Sequence, residues 1–166
     1  MIKEIQIKVP EESLLECIKI LRDSHIWKFA YDNDEDYDGW GIDKANMGLH
    51  SDRVTDELRP YVILFGDLIF KEFKFKSIKR VIWNYYDRDS SCLFHKDFPK
   101  ENNLVTSIIN LNNNDGGTEI RFDNGDLKFL PSTVNKIYLF DSKLDHRGMG
   151  PKKYYNRFSL AFVLNN

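Results

Sequence analysis

Leu93-Phe94-His95-Lys96-Asp97-Phe98 reads as a short β-rich run that carries an imidazole and a carboxylate two positions apart. In a strand, residues i and i+2 share a face, so His95 and Asp97 present their ligand atoms together while Lys96 turns away. Two histidines and one carboxylate form the ligand set of a mononuclear non-haem Fe(II) site. The third ligand has to come from another strand, and His146 is placed to supply it. Three protein ligands on one face of an octahedron leave three positions open for exogenous ligands. An HxD pair alone is weak evidence, because roughly 0.4 such matches arise by chance in a chain of this composition. Its weight comes from where it sits.

Outward from that run, residues 78–164 break into short β-rich segments separated by turn signals. These are 78–86, 93–98, 104–112, 118–122, 127–130, 136–141 and 156–164, with His146 just after the sixth. Asn112-Asn113-Asn114-Asp115-Gly116-Gly117 is a strong turn between two of them. Seven or eight strands after a helical N-terminal third predict a mainly β protein with N-terminal helices and a double-sheet jelly-roll core. The expected organisation is a single domain, 1–166. Residues 1–77 form a helical support region with the first strands, and 78–166 form the core that carries the chemistry.

In the N-terminal part, Ile2, Ile5, Ile7 and Val9 suit a first strand. Pro10-Glu11-Glu12 reads as a helix start, with acids at the positive dipole end, and Leu14, Ile18 and Leu21 follow at helical spacing, predicting a helix over 11–22. Residues 25–31 are β-rich. The acidic stretch 32–41 begins like a calcium loop at Asp34, Asp36, Asp38 and Gly39, but its twelfth position is Ala45 where a bidentate Glu belongs. A solvated loop, or a lid over a site with Trp40 as a contact, are the readings kept for it. Val54, Leu58, Val62, Phe65, Ile69 and Phe73 predict a long helical segment interrupted near Pro60. His25 and His50 lie outside the β-rich region and are read as structural or solvated.

Near the C-terminus, Arg157 and Ser159 are again i and i+2, with Phe158 and Leu160 on the opposite face. The strand Arg-Phe-Ser-Leu-Ala-Phe-Val-Leu looks buried, and a buried arginine needs an anionic partner. A guanidinium matches a carboxylate, and a hydroxyl beside it adds a donor. Tyr86, in Asn84-Tyr85-Tyr86, is either a further donor to such a carboxylate or a core aromatic. Cys92 is read as a small buried group or a pocket wall.

The bulk properties set bounds. The formal net charge is −2 and the sequence pI about 6.1, which argues against nucleic acid as a partner. Two distant cysteines, Cys17 and Cys92, give no disulfide framework or zinc motif, and the alternating N-terminus is not a signal peptide, so a cytoplasmic protein is expected. The longest apolar stretch, 61–70, is broken by Gly66 and Asp67 and is too short to span a membrane. Nothing in the sequence speaks to oligomeric state.

Taken in order, these pieces resemble the 2-oxoglutarate and Fe(II)-dependent oxygenase superfamily, and among it the small prolyl-4-hydroxylase-like members. The resemblance covers about residues 78–164. It is carried by Trp83-Asn84-Tyr85-Tyr86, Phe94-His95-Lys96-Asp97, Thr106 to Asn112, Gly116-Gly117-Thr118-Glu119, Pro131 with Leu139-Phe140, Asp145-His146 and Asn156-Arg157-Phe158-Ser159-Leu160. It implies a double-stranded β-helix core, iron held by His95, Asp97 and His146, and Arg157 on the distal carboxylate of 2-oxoglutarate, with Ser159, Tyr86 and Asn84 as further co-substrate contacts. The implied cofactors are Fe(II), 2-oxoglutarate and O2. The implied activity is dioxygenase hydroxylation of an unactivated C–H in a small-molecule or peptide substrate, such as free or peptidyl proline. Asp89 and Cys92 depart from the glycine and tyrosine that prolyl hydroxylases often carry ahead of HxD, and Arg157 stands where many carry lysine. Two rival readings stay open at this point. One is a cupin-type metal-binding jelly roll without oxygenase activity; the other is a jelly roll that serves only as a structural module.

Overall fold

The computed structural model describes residues 2–29 and 48–166. Ten strands and two helices follow in the order β1 (Ile2–Gln6), α1 (Glu11–Asp23), β2 (Lys28–Phe29), β3 (Leu49–Ser51), α2 (Arg59–Glu72), β4 (Ser77–Asp87), β5 (Leu104–Asn110), β6 (Gly117–Arg121), β7 (Leu127–Pro131), β8 (Lys136–Asp141), β9 (Asp145–Met149) and β10 (Asn156–Asn165). They build a seven-stranded sheet, β1-β8-β5-β10-β4-β3-β2, and a smaller sheet, β7-β6-β9. Every pairing between named strands is antiparallel. This is the expected jelly roll backed by helices.

The period of two along β10 explains how the layers form. Phe158, Leu160, Phe162 and Leu164 point to one face and join a core with Trp83, Ile109, Ile137 and Leu139 from neighbouring strands. Leu14, Cys17, Ile18 and Leu21 of α1 and Phe65 and Ile69 of α2 close that core from outside. Burying each large aliphatic or aromatic side chain is worth about 1.5–3 kcal/mol, so this layer is the main stabiliser of the sheet. The other face of β10 carries Arg157, Ser159 and Ala161. Ala161 packs with Ile108, Tyr138 and Phe140 and with Ile120 and Leu130 of the small sheet. The two sheets therefore meet over a thin apolar floor, and the cleft opens beside it.

Four local expectations need correction. The second helix starts at Arg59, not Val54, and Pro60 lies in its first turn, where a missing N–H costs nothing, so it does not interrupt the helix. Residues 93–98 are not a strand. Only His95 makes a bridge there, to His146, and a second bridge joins Ser91 to Met149. Phe98 has φ 50°, which breaks the extended path just after Asp97. His146 does follow β8, but the residues around it form an unexpected strand of their own, β9. Its sequence, Asp-His-Arg-Gly-Met, lacks apolar alternation because its inward positions face the cleft. Finally, His50 is not outside the β framework: it sits on β3, paired with Asn84. The partial calcium loop and Trp40 lie outside the described residues.

Candidate functional site

Two elements bring the three metal-binding side chains together: the segment before β5 carries His95 and Asp97, and β9 carries His146. His146 is an inward position of β9, and the His95–His146 bridge pins the preceding segment against it, with backbone N–H to O distances of 2.9 and 2.8 Å in the two directions. Each imidazole Nδ1 lies 2.9 Å from the carbonyl two residues back, Leu93 for His95 and Leu144 for His146. A carbonyl can only accept, so Nδ1 carries the proton and Nε2 keeps its lone pair for a metal. The ring centroids are 4.5 Å apart. One ligand atom from each of His95, Asp97 and His146 falls within 4.8 Å of the others. His146 Nε2 is 3.6 Å from Asp97 Oδ2, with both side chains more than nine-tenths buried.

Asp97 is held by a buried hydroxyl chain. Thr106 Oγ1 donates to Asp97 Oδ2 at 2.7 Å and lies 2.9 Å from Ser142 Oγ. The carboxylate only accepts, so the polarity is fixed: Ser142 donates to Thr106, and Thr106 donates to Asp97. Thr106 and Ser142 are almost completely buried. Sequence reasoning gave no role to either.

The electrostatics of the two histidines diverge. Burial opposes a proton on His95, yet the Cys92 sulfur, the Leu93 carbonyl and the Asp97 carboxylate raise its pKa to about 9. Burial, and then the charge of His95, push His146 below its usual value, against the pull of Asp97. The opposite shifts make His95 the more basic of the two rings. Burial alone would raise the Cys92 thiol, but its contact with His95, the Gly148 N–H at 3.0 Å and the Tyr86 hydroxyl bring it down.

Arg157 forms the other end of the cleft and is 1% exposed. Its Nε donates to Asn110 Oδ1 at 3.1 Å, Nη1 to the carbonyls of Gly117 at 2.6 Å and Met149 at 3.4 Å, and Nη2 to Thr118 Oγ1 at 3.0 Å. Its guanidinium carbon lies 5.2 Å from the centre of the Tyr86 ring. Every one of these acceptors is neutral. Burial pulls the Arg157 pKa down, but a guanidinium stays protonated. A buried positive charge thus makes no ion pair with a carboxylate among the described residues. Of its five N–H groups, only one on Nη2 lacks a partner there. Thr118, accepting from Arg157, has its own hydroxyl proton left to donate beside that N–H. Thr118 lay in a recognised stretch of sequence, but nothing in its spacing marked a role.

Tyr86 owes its position to two glycines. A Cβ at Gly48 or Gly148 would overlap its ring or hydroxyl, so both positions admit no side chain. Its hydroxyl lies 3.7 Å from Cys92 Sγ. Ser159 is the cross-strand neighbour of both Asn84 and Asn110. His95, Asp97, His146, Arg157, Ser159, Tyr86 and Asn84, all singled out from the sequence, line one open cleft. Ile82, Ile108 and Ala161 supply its apolar wall, and Thr106, Thr118 and Gly148 complete it.

The fold is shared with proteins of known structure. Over 99% of this chain and 92% of the other, it matches a Pseudomonas putida prolyl-4-hydroxylase with TM-score 0.68 at 12% sequence identity. A Trichoplax adhaerens prolyl hydroxylase, solved with a peptide fragment of the hypoxia inducible factor oxygen degradation domain, gives 0.69 at 14% identity, covering 99% and 83%. The non-haem α-ketoglutarate-dependent carbocyclase SnoK of nogalamycin biosynthesis gives 0.72 at 10% identity, covering 98% and 78%. The fold is that of the 2-oxoglutarate and Fe(II)-dependent oxygenases. At these identities the likeness is one of fold, and the oxygenase fold extends through the N-terminal helices rather than the core alone. No protein-family model matches the sequence, and no curated protein matches it. Among the described residues, no helix is long and apolar enough to cross a membrane.

Proposed function

We propose that this protein is a non-haem Fe(II)- and 2-oxoglutarate-dependent dioxygenase that hydroxylates an unactivated C–H bond. The observation that carries the reading is a conjunction in one cleft: two imidazoles with Nδ1 tied to carbonyls and Nε2 turned toward a buried carboxylate, facing a buried arginine that makes no ion pair with a carboxylate among the described residues.

His95, Asp97 and His146 would hold the iron. The donor set fits a divalent cation: two neutral nitrogens and one oxygen suit Fe(II), and the carboxylate offsets part of its charge. Bound there, iron supplies activation of O2 coupled to oxidative decarboxylation of 2-oxoglutarate to succinate and CO2. The protein's own groups do the rest. The Ser142–Thr106 chain holds the Asp97 carboxylate in place and would orient it toward a bound metal. Arg157 receives the distal carboxylate of 2-oxoglutarate through its remaining N–H, with the Thr118, Ser159 and Tyr86 hydroxyls as further donors and Asn84 at the flank. Ile82, Ile108 and Ala161 exclude water from the reacting side.

The substrate is read as a small molecule or a peptide, with free or peptidyl proline as the first candidate. The fold shared with two prolyl hydroxylases, one of them peptide-bound, supports it. Binding of Zn(II) and then of 2-oxoglutarate, followed by calorimetry, tests the site. His95→Ala, Asp97→Ala and His146→Ala should each abolish tight metal binding, and 2-oxoglutarate should bind only to the metal-loaded protein. Metal binding that survives all three changes contradicts the assignment.

A further inference from the structure

Beyond the residues that line the cleft, the same face of the large sheet carries a second cationic group. Strand register puts it there. On the inner face of the large sheet, Lys28 of β2 pairs with His50 of β3, His50 with Asn84 of β4, and Asn84 with Ser159 of β10. Paired residues share a face, so Lys28 and His50 continue the row that Asn84 and Ser159 bring into the cleft. Arg80 shares that face, being four residues from Asn84 and two from Ile82, and both of those line the cleft. Its own row runs Arg80–Val163–Thr106, and Thr106 is the residue that holds Asp97.

Arg80 therefore lies on the metal side of the cleft. It is six residues along β4 from Tyr86, the cross-strand partner of Arg157, or about 20 Å away at strand rise. At that separation the two cationic groups cannot share one small anion.

The local field agrees with this placement. Burial, and then the Arg80 guanidinium, lower the pKa of His50; Lys28 and His95 act in the same direction, and only Asp52 opposes them. His50 is thus a neutral ring that can donate an N–H, flanked by two permanent cations and within the field of the metal cluster. Neither Lys28 nor Arg80 makes an ion pair among the described residues, whereas neighbouring Lys79 pairs with Glu101.

We propose that this cationic group, Arg80 with His50 and Lys28, docks an anionic group of the substrate, a carboxylate or a phosphate, and so holds the reacting carbon over the metal. The proposal rests on the oxygenase reading for what the bound group does, but the site itself stands on register and charge. It narrows the substrate class to acids: a free amino acid, an acidic or C-terminal peptide, or a phosphate ester.

The test uses full-length protein loaded with Zn(II) and saturating 2-oxoglutarate. The His50 ring signal is followed by NMR and assigned by its loss in His50→Gln. Inorganic phosphate and acetate are titrated separately. A saturable shift of the His50 signal with at least one anion is expected, and which anion binds more tightly distinguishes a phosphate from a carboxylate source. In Arg80→Gln the apparent affinity should fall about fivefold, the loss of one exposed charge-assisted contact. The 2-oxoglutarate affinity of Arg80→Gln, measured by calorimetry, should stay unchanged, which also shows that the variant is folded. No saturable shift with either anion, or an affinity equal in Arg80→Gln and wild type, overturns the proposal while 2-oxoglutarate binding leaves the oxygenase reading intact. Failure of 2-oxoglutarate to bind the zinc-loaded wild type removes the oxygenase reading instead, and the anion site is then judged on the His50 shift alone.

Discussion

Arginines that meet the two faces of the small sheet, Arg121 and Arg147 from its own strands and Arg157 from β10 of the large sheet opposite, are used in opposite ways. On its outer face, Arg121 pairs with Asp145 and Arg147 with Glu119, and both guanidiniums lie against the Phe94 ring, 4.2 and 4.6 Å from its centre. Each has an aromatic contact and a carboxylate, and each is complete. On the inner face, Arg157 also lies over an aromatic ring, but its four hydrogen-bond acceptors are neutral. Burying a cation without a counter-charge is costly. Among the described residues the fold tolerates it at Arg157, across the cleft from the metal-binding cluster. The contrast shows that the inner arginine is incomplete as it stands and is completed by an anion that the chain does not supply.

Replacing the inner arginine should have the largest effect. Arg157→Ala should weaken 2-oxoglutarate by about 100-fold, since a hydrogen-bonded charge contact is worth about 1.5–3 kcal/mol. Calorimetry on the metal-loaded protein checks this, and a loss below threefold would erase the distinction between the two faces. Next is the proton on His95. With its pKa raised to about 9, the ring is protonated below that pH and must release the proton to bind metal. Metal affinity should therefore fall about tenfold for each pH unit below 9, with about one proton released per metal at pH 7. Calorimetry in buffers of different ionisation enthalpy counts that proton.

Thr106→Val should lower metal affinity by about tenfold by leaving Asp97 Oδ2 without its buried donor, while Thr106→Ser should recover most of it. Equal losses in both would assign Thr106 to packing rather than to positioning. Arg121→Ala should do least. An exposed ion pair contributes about 0–1 kcal/mol, so thermal unfolding should shift slightly and 2-oxoglutarate affinity stay within twofold.

These contrasts also mark what the sequence made legible. Strand β10 could be read directly, because Phe158, Leu160, Phe162 and Leu164 alternate with polar or small partners and the period of two survives. His95 and Asp97 were legible as ligand types, though not as a strand: a single bridge to His146 and a turn at Phe98 do what a ladder was expected to do. Strand β9 was hidden for the opposite reason, since its inward residues, His146 and Gly148, are there for the cleft and erase the hydrophobic signal. Thr118, Thr106 and Ser142 were invisible because a hydroxyl becomes informative only once its partner across the sheet is known. His50 seemed to lie outside the β framework because its place depends on pairing with Asn84, a contact between residues 34 positions apart.

The most direct measurement is the visible spectrum of the anaerobic protein with Fe(II) and 2-oxoglutarate. The structure predicts a weak metal-to-ligand charge-transfer band that disappears in His95→Ala. In Arg157→Ala it should require about 100-fold more 2-oxoglutarate to reach the same amplitude. A folded wild-type protein that binds Fe(II) but shows no band at saturating 2-oxoglutarate would contradict the account.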